Sequence, residues 1–247
     1  MINYDKISKL LQGNYNMKLN NIIYQRGLDI IFSLLAIIIF LPILITLSII
    51  LSIISKDRII YKQKRVGING NLFDIYKFTT MLENSEKIGT GIITLKNDSR
   101  VFPFGKFLRK TKFNELPQLF NILKGDMSII GPRPMPEEHF IRYSSIAQKN
   151  LKQIKPGLSG LGSIIFRNED EILSKVKNNK INFYNSYISP YKGEIEIWYV
   201  KNRNLSLYFI LICLTIKVVL FPKYKIDYQK KFQNIPVPPR ELEVALI

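Results

Sequence analysis

The sequence predicts an α+β chain, mainly helical, that hangs from a membrane helix near its N-terminus. Three observations predict it. Ile30 to Ser55 is a run of 26 residues without a charge, long enough to reach across a hydrocarbon core. Two short alternating segments flank Gly67 and Asn69-Gly70, which is the turn chemistry of a β-hairpin. Much of the remainder carries apolar residues at helical spacing.

Taken in order, the uncharged run holds Pro42 at its middle. Proline lacks an N–H and clashes with the carbonyl four residues earlier, so a kinked and broken helix is expected there. Both flanks are basic: Lys6, Lys9, Lys18 and Arg26 precede the run, and Lys56, Arg58, Lys62, Lys64 and Arg65 follow it. Positive flanks stay on the cytoplasmic side, so the segment is expected to enter and leave by one face. An ordinary span with a proline kink is the alternative. Strands are expected at 59–65 and 71–78, with a polar loop over 82–99. Pro103 opens a helix with Phe104, Phe107 and Leu108 on one side and Lys106, Arg109 and Lys110 on the other. Such a cationic amphipathic face suits anionic headgroups and solvent equally.

The next helix carries the chemistry. Asn114 is read as its N-cap, Glu115 lies in the first turn, Pro117 is tolerated there, and Gly125 stops it. A helix end of this kind attracts phosphate, and Glu115 offers a ligand to a divalent cation; simple capping is the plainer reading. Arg133 stands between Pro132 and Pro134, which stiffens it for a bidentate grip on phosphate. Lys155-Pro156-Gly157 is expected to turn tightly beside a cation. Helices are expected over 137–153, 169–178 and 190–203. Leu205 to Phe221, interrupted by Lys217, reads as an interfacial helix or a buried one. The tail PVPPRELEVALI is expected to be extended and loosely held.

Composition narrows the function. The 247 residues hold 36 Lys+Arg against 19 Asp+Glu, a formal charge of +17, so a polyanionic partner is expected. One Cys and one His leave too few ligands for zinc or an iron–sulfur centre, so a metal here must be a hard, oxygen-bound one. Nucleic acid is not expected: no binding motif is present, and the aromatics fall in apolar runs rather than between cations. Three regions follow: an N-terminal segment with the membrane helix over 1–58, the main domain over 59–222, and a tail over 223–247.

In their order, YKQKRVGINGNLFDIYKFTTM (61–81), DSRVFPFGKFLRKTKFNELPQLFNILKGDMSIIGPRP (98–134) and KPGLSGLG (155–162) resemble the bacterial sugar transferases called monotopic phosphoglycosyl transferases. The likeness covers about 22–220. It implies transfer of a sugar-1-phosphate from a UDP-sugar to polyprenyl (undecaprenyl) phosphate, with release of UMP, to begin a surface glycan. It further implies Mg²⁺ as cofactor, a re-entrant helix broken near Pro42, and a cytoplasmic-face site at the bacterial inner membrane, next to anionic lipids. A homodimer is one conceivable assembly. The family's catalytic Asp-Glu pair falls at Asn114-Glu115, with Glu115 toward the metal, while Lys77, Asp98, Arg100, Arg109, Asp126 and Arg133 would bind substrate. Departures stand at Asn114 for the usual Asp, Thr79 for Arg and Ser163 for Gln. An amide has no anionic oxygen to attack phosphorus. Three routes are therefore open: direct displacement by the lipid phosphate, Glu115 as nucleophile, or a chain that has lost catalysis and acts as a scaffold.

Overall fold

The computed structural model describes residues 4–55, 58–82, 98–176, 179–221 and 224–246. Its α+β, mainly helical architecture agrees with the sequence reading. The first helix, α1 (Tyr4–Ile54), runs without interruption through Pro42, where a break was expected. One missing backbone hydrogen bond does not end a helix whose neighbouring apolar stretch offers no competing polar partner. The Thr46 hydroxyl bonds back to the Pro42 carbonyl at 2.8 Å. One face of α1 lies bare, with Ile31, Leu35, Ile38, Ile39 and Ile45 exposed.

Two antiparallel strands follow, β1 (Ile60–Val66) and β2 (Leu72–Phe78), paired from Ile60 opposite Phe78 to Val66 opposite Leu72. Asn69 and Gly70 take the left-handed backbone expected of the turn, φ 58° and 81°. Next come α2 (Pro103–Thr111), α3 (Gln118–Lys124), β3 (Ser128–Ile130), α4 (Glu137–Phe140), α5 (Ser145–Leu151) and β4 (Gly157–Ser159). The expected loop at 82–99 lies mostly outside the described residues. The expected helix over 137–153 is two short ones. The expected turn at Lys155-Pro156-Gly157 instead feeds β4, which pairs in parallel with β3.

The chain ends in α6 (Leu161–Ile165), α7 (Glu169–Lys175), α8 (Lys180–Phe183), α9 (Ser189–Asn202), α10 (Leu205–Leu220), α11 (Tyr228–Lys231) and α12 (Arg240–Leu246). The tail is not loose: Ile235 and Leu242 are buried with Tyr191, Ile195 and Leu211 in the largest apolar cluster. Burying those side chains outweighs the entropy of ordering the segment. The α10 helix is two-sided, with Leu207, Leu211 and Leu214 buried and Ile216, Val219 and Leu220 exposed.

Polar clasps fix α1 to the domain. The Arg26 guanidinium donates to the Ile122 and Leu123 carbonyls at 2.6 and 2.8 Å, at the C-terminal end of α3, where the helix dipole favours a cation. Asp29 accepts from the Ile129 amide at 3.0 Å and from the Tyr208 hydroxyl at 2.8 Å. Further along, Ile37 packs on Ile75, Ile122 and Met127, while Leu44, Leu47 and Leu51 pack on Phe78 and Leu108.

Candidate active site

Strand alternation sets the floor of the site. Tyr61, Gln63 and Arg65 pair with Lys77, Ile75 and Phe73, so Arg65, Ile75 and Lys77 point to one face. Asn121, fully buried, ties α3 to that strand: its Oδ1 accepts from the Tyr76 amide at 2.9 Å, and its Nδ2 donates to the Asp74 carbonyl at 2.8 Å. The turn before α3 therefore hangs over Lys77.

That turn is not the helix start expected from the sequence. Lys112 takes a left-handed backbone, φ 62°, and Phe113–Glu115 forms a 3₁₀ turn. The Glu115 and Leu116 amides bond back to Lys112 and Phe113 at 3.0 and 3.2 Å. Asn114 therefore lies inside the turn, Pro117 occupies the N-cap of the seven-residue α3, and those two amides are already engaged. The phosphate-binding helix end expected at Asn114 is absent.

Side chains converge at Glu115. Its Oε1 lies 3.2 Å from Lys77 Nζ and 3.3 Å from Arg133 Nη2. Burial alone would raise the carboxyl; Lys77, Arg133 and Lys112 reverse this and hold it well below the usual carboxylate range. Burial lowers Lys77 to about 8, opposed by Glu115. Glu115 in turn raises Arg133, whose side chain is 46% exposed and so stands at the rim. Burial and Arg133 lower Arg65 to about 10. A single carboxylate thus sits among Arg65, Lys77, Lys112 and Arg133, an excess of positive charge suited to a multiply charged anion. Gln118, 3% exposed, lines the same cleft, and its Nε2 is buried without a hydrogen-bond partner.

The other predicted charged residues have partners of their own. Asp98 and Arg100 pair with each other at 2.6 Å, both buried. Arg109 Nε donates to Thr80 Oγ1 at 2.8 Å. Asp126 pairs with Lys124 at 3.3 Å, at the end of α3 away from Glu115, about 10 Å along its axis. Asn114 is buried with its Oδ1 unpartnered. Among the described residues, no group of three His, Cys, Asp or Glu side chains is placed to hold a metal. One carboxylate in a cationic cleft fits Mg²⁺ that arrives on a diphosphate and takes most of its ligands from phosphate and water. It does not fit a protein-built cage.

Arg65 and Gln118 were not expected from the sequence. The hairpin register alone identifies Arg65, since it shares the strand face of Lys77.

A profile described as bacterial sugar transferase matches residues 20–222. The chain belongs to the bacterial sugar transferase family. An uncharacterized sugar transferase of Haemophilus influenzae is 36% identical over 85% of this chain and 44% of its own length. A UDP-glucose:undecaprenyl-phosphate glucose-1-phosphate transferase of Klebsiella pneumoniae is 35% identical over 79% of this chain and 40% of its own. An undecaprenyl-phosphate galactose phosphotransferase of Salmonella typhimurium gives the same values, 35%, 79% and 40%. The chain spans less than half the length of these three curated relatives.

Proposed function

We propose that the protein transfers a sugar-1-phosphate from a UDP-sugar to polyprenyl phosphate, releasing UMP, at the cytoplasmic face of the membrane. The observation that carries the reading is the Lys77–Glu115–Arg133 cluster, a cationic cleft on the body that packs along the apolar helix α1. Both relatives' names carry undecaprenyl phosphate, and one of them carries UDP-glucose.

In the reaction, an oxygen of the lipid phosphate attacks the phosphorus that bears the sugar. The bridging P–O bond breaks and UMP departs with its electron pair. Arg133 and Lys77 neutralise the oxygens on which charge collects. Glu115 keeps those two cations oriented between turnovers and would hold Mg²⁺. When bound, Mg²⁺ supplies Lewis-acid neutralisation of the diphosphate. An amide cannot serve as the phosphorus nucleophile, and Glu115 is engaged by Lys77 and Arg133, so this reading has direct displacement with no phosphosugar on the chain.

Exposed apolar residues on α1 and α10 would sit in one leaflet. Both ends of the helix would then lie at the same face, because its polar clasp at Arg26 and its packing at Leu51 hold one and the same body.

The second reading, a catalytically impaired scaffold, is favoured by Asn114 itself. Protein purified in detergent with Mg²⁺, undecaprenyl phosphate and a panel of UDP-sugars decides between them. UMP release by the wild type is expected. No release from the wild type with release from Asn114→Asp supports the scaffold. A phosphosugar adduct on Glu115, detected by mass spectrometry after UDP-sugar alone, refutes direct displacement.

A further inference from the structure

Glu196, on α9, is a buried carboxylate that the proposed transfer leaves unused. It is 4% exposed, and its Oε2 has no hydrogen-bond partner. Burial pushes its pKa up to about 7, while Lys192 and the backbone N–H of Arg133 favour its charged form. A carboxylate kept at such cost beside a cleft points to function more than to stability.

Glu196 and Arg133 line one cavity, and close backbone packing shapes the segments around it. A Cβ on Gly157 would fall 2.1 Å from the Gly131 nitrogen, and one on Gly160 would fall 2.1 Å from the Gly131 oxygen. Glycine at both places lets the two segments lie backbone to backbone. At Gly162 a Cβ would meet Glu196 Oε1 at 2.4 Å, so the carboxylate is wedged against the start of α6, which follows directly on the Gly157–Gly160 segment. Arg133 is the wall between two clefts. One holds Glu115 and Lys77; the other is lined by Glu196, Tyr143 and Gly67.

The charged and titratable neighbours leave this contact to Glu196. Lys192 is ion-paired with Glu169 and lies over the rings of Phe166 and Tyr184, 5.1 and 5.9 Å from their centres. Burial raises both Tyr143 and Tyr199, which feel Glu196 as well, so they are neutral near pH 7. Beside the Arg133 backbone the side chain whose protonation changes near neutrality is Glu196; across the cleft Lys77, lowered to about 8, loses charge in an overlapping range, so wild type and variant are compared at each pH.

Resting on the reading of the cleft as a phosphate-transfer site, we propose that Glu196 is a positioning residue: ionised, it holds the Arg133 backbone so that the guanidinium stays over Glu115 and meets the diphosphate. It touches no substrate. The grip on diphosphate therefore tightens as Glu196 loses its proton.

The test is calorimetric binding of UDP-hexoses, whose diphosphate diester does not itself titrate near neutrality, without lipid acceptor. Wild type, Glu196→Gln and Glu196→Asp are compared at about pH 5.5 and about pH 8. At the higher pH the wild type is expected to bind about tenfold more tightly than Glu196→Gln, and the two should agree at the lower pH. Glu196→Asp should recover part of the difference, and in turnover the loss should fall on KM rather than kcat. Equal affinities of wild type and Glu196→Gln at both pH values overturn the proposal, as does a gap of equal size at both. Should wild type bind with the expected difference yet release no UMP from any UDP-sugar with lipid, the transferase reading fails and the positioning role stands. Wild type with no affinity for any UDP-hexose overturns both.

Discussion

Replacing Glu196 by Gln should stabilise the protein at alkaline pH, and the size of the effect follows from its burial. The carboxyl is displaced from its usual 4.5 to about 7, and each pH unit of displacement is worth about 1.4 kcal/mol. Ionised Glu196 therefore costs the folded state about 3 kcal/mol relative to the unfolded chain. The sign follows from proton counting. Below pH 4.5 both states hold the proton and nothing is lost. Between 4.5 and about 7 the folded state holds it and the unfolded state does not, so stability falls as pH rises; above about 7 the loss is complete. Gln has no such penalty. In a chain of this size, about 3 kcal/mol corresponds to a melting temperature about 6–12 °C higher for Glu196→Gln at pH 8, shrinking toward zero at pH 4.5. Thermal unfolding in detergent across that range is the assay. A difference between wild type and variant that does not change with pH refutes the reasoning. A variant that gains stability while losing grip on diphosphate is the signature of a charge retained for function.

Other perturbations test other parts. Glu115→Gln should lower UMP release at least about 100-fold; turnover within a few-fold of wild type would remove Glu115 from the site. Arg26→Ala loses two charge-assisted hydrogen bonds to α3 and should cost about 2 kcal/mol, which unchanged thermal unfolding would contradict. Leu108→Ala empties a fully buried position between α2 and α1 and should cost about 2–5 kcal/mol, measured the same way. With the exposed Cys213 replaced by Ser, cysteines at Tyr24 and Arg58 should both react with an impermeant reagent from the cytoplasmic side; reaction from opposite sides would establish a plain span.

How much of this could be read in the sequence depends on whether the cause was local. The hairpin was legible because alternation and Asn69-Gly70 are local signals, and its strands lie within one residue of expectation. Pro103 likewise marks the start of α2. Glu115 and Arg133 were legible as candidates, but their meeting over Lys77 depends on Asn121 and on Lys112, which no short pattern encodes. The Asn114 cap failed because a left-handed Lys112 reverses the chain before a helix can begin. The tail failed for a different reason: its isolated composition is that of a loose segment, and it is ordered only by burial against α9 and α10. Glu196 was invisible, since a Glu in α9 reads as a solvent-facing charge until Gly162 is seen packed against it.

The attachment of α1 supplies the topological argument that Pro42 was expected to supply. From Arg26 to Leu51 the helix extends about 38 Å at 1.5 Å per residue, more than the ~30 Å of a hydrocarbon core. Were it to stand upright across the bilayer, the body that Arg26 clasps through α3 and the body that Leu51 touches through Phe78 and Leu108 would lie on opposite sides. They are one body, since Asn121 joins α3 to the strand that carries Phe78. Charged groups of that body, Lys77 and Glu115 among them, would have to sit in hydrocarbon, at a cost of several kcal/mol each. A helix that lies along the interface and dips its bare face into one leaflet avoids this. On the proposed reading, it would also bring the Lys77–Glu115–Arg133 cleft to the depth of a lipid phosphate, as transfer between a soluble diphosphate and a lipid acceptor would require.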